Sequence, residues 1–210
     1  MVTYEALLDA DLEFALREGS MHFEENNSVH KTLRNVTRRL AELQIPYAVV
    51  GGMAMFAHGY RRFTEDVDLL VTPEGMQRVR QELEGLGYVQ PAGTTTKLRD
   101  TDTRVKIEFL ITGGFPGDGK PKPVAFPDPD DVAVEIDGVR YLRLSTLVEL
   151  KLASGLTGGL HRHKDLTDVI ELIKALQLPE GFADNLNPYV RDKFLELWRG
   201  LQAAPDRHES

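Results

Sequence analysis

The chain predicts an α+β fold: a small mixed sheet flanked by helices, followed by a C-terminal helical module. Three observations lead there. Short apolar runs with a period of two, above all residues 66–71 and 103–111, alternate with amphipathic stretches of period 3.6 up to residue 143. From 144 onward the strand pattern stops and helical stripes follow one another. A chain of 210 residues, 41% hydrophobic and 28% charged, can bury one good core plus a helical appendage. The expected division is 1–143, the sheet core with its N-terminal helices, and 144–210, the helical module.

The elements follow in order. Leu8, Leu12 and Ala15 mark a short helix over 3–17 that stops at Gly19. Val29, Leu33, Val36, Leu40 and Leu43 share one face of a helix over 28–43, with Ser28 placed to cap it. Pro46 ends that helix and opens a buried strand, Tyr47 to Val50. Gly51-Gly52 then turns into the two helical turns of MAMFAHG. Residues 66–71, DVDLLV, alternate as a strand, and Thr72-Pro73-Glu74 starts a helix with Met76, Val79, Leu83 and Leu86 facing inward. In 103–111, Val105, Ile107, Phe109 and Ile111 occupy one face, Lys106 and Glu108 the other. A Gly/Pro-rich loop fills 112–131, and a loop of that length is either functional or disordered. Strands at 132–136 and 139–142 flank Asp137-Gly138 as a hairpin. Thr146 and Glu149 form a capping box. Leu166, Val169, Ile170 and Ile173 stripe the next helix. Asn187-Pro188 opens the last, with Val190, Phe194, Leu197, Trp198 and Leu201 inward, and the tail after Ala204 is expected to be loose.

Composition removes several function classes. No apolar run approaches the roughly 20 residues of a membrane-spanning helix. The N-terminus is acidic and broken by charge, unlike a secretory signal. Cysteine is absent, which excludes disulfides and thiolate metal sites and fits a reducing cytoplasm. The net charge of −8 argues against extended DNA or RNA binding over a broad basic surface, while leaving room for a local patch that handles a nucleotide or an RNA end.

The chemistry concentrates in residues 51–71, GGMAMFAHGYRRFTEDVDLLV. In a strand Asp66 and Asp68 project from the same face. At about 4 Å and an effective dielectric near 20 their repulsion is on the order of 4 kcal/mol, which a divalent cation with oxygen ligands offsets. Glu108 adds a third carboxylate if strands 66–71 and 103–111 are neighbours. Three acids can hold two metals for in-line phosphoryl displacement. Against this, an isolated Asp-x-Asp is common at solvated strand ends, and Glu108 could equally pair with Lys106 or Arg104 on its own strand.

Gly51-Gly52 followed by Asp66-Val67-Asp68 in an apolar strand resembles the signature of the DNA polymerase β-like nucleotidyltransferase superfamily. Arg62, Thr64, Asp66 and Asp68, as R-x-T-x-D-x-D, resemble the AbiEii-like group, whose members include toxins of toxin–antitoxin and abortive-infection systems. The stretch LVELKLAS around Lys151, and Arg162, Lys164, Asp165 and Asp168, are similar to that group's C-terminal motifs, so the likeness spans about residues 45–176. It implies a nucleotidyltransferase core that transfers a nucleoside monophosphate from an NTP such as ATP to an acceptor. Asp66, Asp68 and Glu108 would hold Mg²⁺, as two ions, or Mn²⁺, with Glu108 as third ligand or general base. Gly51 and Gly52 would wrap the triphosphate: glycine lets backbone N–H groups approach phosphate oxygens, and the following helix turns its positive end to them. The superfamily often carries serine where this chain has Gly52. The acceptor would be an RNA 3′ end, a small molecule or a protein hydroxyl, and a cognate antitoxin is a possible partner.

Arg62, Lys151 and Lys164 suit phosphate neutralisation. Lys164 and Asp168 could also be an ordinary i,i+4 surface pair, and Lys151, which interrupts an apolar helix face, either snorkels or points into a site. His58, His161 and His163 match no zinc spacing and read as surface or supporting histidines. Residues 114–120, GFPGDGK, imitate a phosphate-binding loop, but Pro121 replaces the hydroxyl residue and, with Pro123, blocks the helix such a loop must open. That segment reads instead as a substrate or lid loop. The rival to an enzyme is a non-catalytic nucleotide- or partner-binding protein on the same scaffold.

Overall fold

The computed structural model describes residues 2–157, 159 and 163–203. The chain forms two compact units, Met1–Gly113 with Pro127–Leu142, and Gly114–Phe126 with Arg143–Ser210.

The first unit is a mixed seven-stranded sheet with helices. Its elements are α1 (Tyr4–Ala10), α2 (Leu12–Phe23), α3 (Ser28–Glu42), β1 (Tyr47–Val50), α4 (Gly51–Ala57), β2 (Asp66–Val71), α5 (Pro73–Leu83), β3 (Tyr88–Val89), β4 (Lys97–Asp100), β5 (Lys106–Ile111), α6 (Pro129–Val132), β6 (Ala133–Ile136) and β7 (Val139–Leu142). The strand order is β3-β4-β5-β2-β1-β7-β6. The two strands richest in Val, Ile, Leu and Phe lie side by side near the centre: β2 pairs parallel with β5 and antiparallel with β1. Val67, Leu69, Ile107, Phe109 and Leu98 line one face and are buried, together with Leu33, Val36 and Leu40 of α3. The strands 47–50, 66–71 and most of 103–111 thus lie in one sheet, as expected.

The second unit holds α7 (Leu144–Thr157), α8 (His163–Ala175), a 3₁₀ turn at Glu180–Asn185 and α9 (Pro188–Ala203). Leu147, Val148, Leu152, Val169, Leu172, Val190 and Phe194 make its core. The Gly/Pro-rich segment is fastened within this unit. The Lys122 side chain, 5% exposed, donates to the Pro116 carbonyl, the Asp118 carboxylate and Thr157 Oγ1. A Cβ on Gly117 (φ +77°) would stand 2.6 Å from Thr157 Oγ1, so glycine is required for that close approach. The loop is therefore pinned along α7 through Lys122 and Gly117.

Local differences have local causes. The first predicted helix is two helices, because Asp11 breaks it and caps α2 by accepting from the Phe14 amide, and Gly19 lies inside α2. Asn27, not Ser28, caps α3, its Oδ1 accepting from the His30 amide. β5 starts three residues late, since residues 100–104 turn through Arg104 at φ +65°. Thr146 lies inside α7, and its predicted cap partner Glu149 accepts from the Asn187 amide instead. No described helix is long and apolar enough to cross a membrane.

Candidate active site

The register of three strands builds the acidic site. Asp68 is opposite Glu108 and Asp66 is opposite Lys106 on the parallel neighbour, while Val50 is opposite Asp68 on β1. On the far side of β5, Lys97 of β4 is opposite Glu108. Paired residues share a face, so Asp66, Asp68, Glu108, Lys106 and Lys97 project from one surface of the sheet. All five are partly exposed.

The glycine pair is shaped by the acids. Gly51 begins α4 at φ +61°, and a Cβ there would lie 2.1 Å from Oδ2 of Asp68. Both the backbone angle and the carboxylate disfavour any larger residue. A Cβ on Gly52 would meet Thr64 Oγ1 at 2.7 Å and Thr64 Cβ at 2.8 Å. The departure from serine at this position therefore has a steric reason: the buried Thr64 fills the space. Its hydroxyl donates to Asp66 Oδ1 at 3.2 Å. The two motifs, separate in sequence, interlock.

The segment between them is held from α2. His22 Nε2 donates to the Arg62 carbonyl at 2.9 Å, and Asn27 Nδ2 donates to His22 Nδ1 at 3.1 Å, which fixes the neutral tautomer. The Arg62 guanidinium donates to the Phe63 carbonyl.

The acids are met by lysines. Lys106 Nζ is 3.0 Å from Asp66 Oδ2 and 3.6 Å from Glu108 Oε2. Lys97 Nζ lies 3.3 Å from Glu108 Oε2. Burial works to lower the Lys106 pKa, but the Asp66 charge and hydrogen bond, with the charges of Glu108 and Asp68, hold it above the ordinary lysine value. The alternative pairing of Glu108 with Lys106 is thus present, on the sheet face that also carries Asp66 and Asp68. Lys97 escaped the sequence reading because β4 did. Its only signal was the four-residue alternation Lys97-Leu98-Arg99-Asp100.

The donor chemistry, three hard carboxylates on one face, suits Mg²⁺ or Mn²⁺. Yet among the described residues no group of three or more His, Asp or Glu side chains is drawn together closely enough to hold a metal ion. Ammonium groups are interleaved with these carboxylates.

Each of the other predicted residues has its own surroundings. Within the second unit, the buried Lys151 is 3.0 Å from Asp165 Oδ1 and 2.6 Å from Asp168 Oδ2, and Ser154 Oγ donates to Asp165 Oδ2 at 2.7 Å. Lys164 is exposed on α8. Of the histidines, His58 Nε2 donates to the Leu142 carbonyl at 2.7 Å, a structural tie, and His163 is exposed. His161 and Arg162 lie outside the described residues. A cavity of about 210 Å³ opens between α3, α4 and the β6–β7 hairpin, lined by His30, Arg34, Phe56, Arg61 and Tyr141 among others. Asp66, Asp68 and Glu108 do not line it.

No protein-family model and no curated protein matches the chain. Among solved structures, similar folds include a nucleotidyltransferase-like antigenic protein from Paracoccidioides brasiliensis (18% identity, 84% of this chain and 88% of that one, TM-score 0.48). They also include ANT(2″)-Ia in complex with adenylyl-2″-tobramycin (12% identity, 82% and 98%, TM-score 0.47), and a nucleotidyltransferase candidate from H. pylori (18% identity, 82% and 91%, TM-score 0.46).

Proposed function

We propose that the protein is a metal-dependent nucleotidyltransferase that moves a nucleoside monophosphate from an NTP to an acceptor hydroxyl. The observation that carries the reading is the alignment of Asp66, Asp68 and Glu108 on one sheet face beside a glycine whose missing side chain makes room for Asp68. In the reaction the acceptor oxygen bonds to the α-phosphorus, the bond to the pyrophosphate oxygen breaks, and the hydroxyl proton leaves to a base. Asp66 and Asp68 would be the metal ligands, with Glu108 as third ligand or as that base. A divalent cation held there supplies positive charge for the triphosphate and acidifies the acceptor hydroxyl. The amides of Gly51 and Gly52 face the phosphates in this reading, with Thr64 orienting Asp66 and Arg62 contributing charge. The motif resemblance supports the AbiEii-like group and a toxin role with a cognate antitoxin. The acceptor belongs to one of three classes: an RNA 3′ end, a small hydroxylated molecule or a protein hydroxyl.

The test is incubation with each labelled NTP, Mg²⁺ and total cellular RNA or protein. Label transfer and pyrophosphate release, both lost in Asp68→Asn, support the proposal; no NTP turnover with any acceptor class refutes it.

A second reading, a non-catalytic nucleotide- or partner-binding protein, has one observation on its side. Lys106 and Lys97 already offset the carboxylate repulsion, so the three acids do not by themselves require a metal. Magnesium-independent NTP binding without pyrophosphate release would favour it.

A further inference from the structure

Resting on the nucleotidyltransferase reading, we propose that Lys106 is the resident counter-ion of the acidic site, and that a divalent cation binds only by displacing its ammonium group. The placement is written into the backbone. Lys106 is the register partner of Asp66 and sits two residues before Glu108 on the same strand face. Its Nζ therefore reaches Asp66 Oδ2 at 3.0 Å and Glu108 Oε2 at 3.6 Å, bridging two of the three proposed ligands. Lys97 holds Glu108 from the other side at 3.3 Å. The side chains in this network are 26–35% exposed, so solvent screens their charges less than those of an open surface pair.

The two occupants exclude each other. A divalent cation needs the carboxylate oxygens at about 2.0–2.6 Å, and an ammonium bridging the same oxygens stands in that volume. Two positive charges so close would also repel. The four-carbon stem of lysine can swing the ammonium away, whereas the carboxylates, on short side chains, keep their places. Lys106 is then a positioning residue that sets the metal concentration at which the site assembles. Without metal it suppresses the repulsion that would otherwise strain adjacent strands. Lys97 makes a smaller contribution, since it meets Glu108 alone.

The experiment is a Mg²⁺ and Mn²⁺ titration of nucleotide-free protein, read by calorimetry and by thermal shift. Wild type, Lys106→Met, Lys106→Arg and Asp68→Asn are compared, with Lys106→Gln as the substitute should the methionine variant fail to fold. The expected result is metal binding about three- to tenfold tighter in Lys106→Met, with a lower melting temperature than wild type in metal-free buffer. Lys106→Arg should bind metal as wild type does, because it keeps the charge. Equal or weaker metal binding in Lys106→Met, with wild-type binding that depends on Asp68, overturns this inference and leaves the nucleotidyltransferase reading standing. Metal binding that is absent from both wild type and Lys106→Met overturns this inference, and the nucleotidyltransferase reading then stands or falls on label transfer from the NTP.

Discussion

Asp68 occupies the space that a side chain on residue 51 would need: a Cβ there would be 2.1 Å from its Oδ2. Gly51 also holds φ at +61°, a region that L-residues enter only with strain. The two effects can be separated. Gly51→Ala should lower stability by about 2 kcal/mol or more. In an Asp68→Ala background the same substitution should cost only the backbone strain, about 1 kcal/mol. Chemical denaturation of the four proteins in a double-mutant cycle checks this; additive effects would mean that the carboxylate relaxes freely out of the way.

Asp66 and Asp68 are the proposed core of the transfer reaction, so Asp66→Asn should abolish label transfer. From the sequence alone, removing one of two crowded acids would be expected to relieve repulsion. The structure reverses that sign for Asp66, which is paired with Lys106 and accepts from Thr64. In metal-free buffer Asp66→Asn should therefore be less stable than wild type by about 0.5–1 kcal/mol, as measured by urea unfolding.

Lys151 holds two carboxylates within the second unit while 9% exposed. Lys151→Met would remove the buried cation that Asp165 and Asp168 share. A loss of about 3–5 kcal/mol in unfolding free energy is expected. Unchanged stability with weakened NTP binding would instead speak for a phosphate-binding lysine.

His30 brings pH into the fold. Burial, then the charges of His22, Arg34 and Arg61, push its pKa down from 6.5 to about 4. Its Nδ1 donates to Asn27 Oδ1 while its buried Nε2 has no acceptor for a second proton, so the neutral ring is the one the fold uses. Between those two pKa values the unfolded chain binds the proton and the folded chain does not. Stability should be fully present above about pH 6.5 and fall as the pH drops toward 4. Urea midpoints at pH 7 and pH 5 should differ more for wild type than for His30→Gln.

The sequence made the central strands readable because β2 and β5 are six residues each and alternate cleanly. β3 and β4, of two and four residues, carry too little periodicity to stand out. Asp66, Asp68 and Glu108 could be placed on one surface by parity alone, but parity does not give register. Only the alignment of β2 with β5 decides that Lys106, and not another residue, is beside Asp66. Lys151 shows a similar limit. Its place on an apolar helix face was legible, whereas its partners Asp165 and Asp168 come from another helix and depend on packing. The need for glycine at 51 and 52 is likewise three-dimensional, since the atoms that exclude a side chain lie 17 and 12 residues further along.

That last distance has a consequence for how the chain can vary. Positions 52 and 64 share a single small volume, and Thr64 fills it. A hydroxyl can be delivered to this corner from the helix or from the segment before β2, but not from both. A serine at 52 requires a smaller residue at 64, and a threonine at 64 requires glycine at 52. The two sites form one coupled locus, so relatives of this protein should change them together, and a sequence that alters either alone should carry a displaced Asp66, whose Oδ1 accepts the Thr64 hydroxyl.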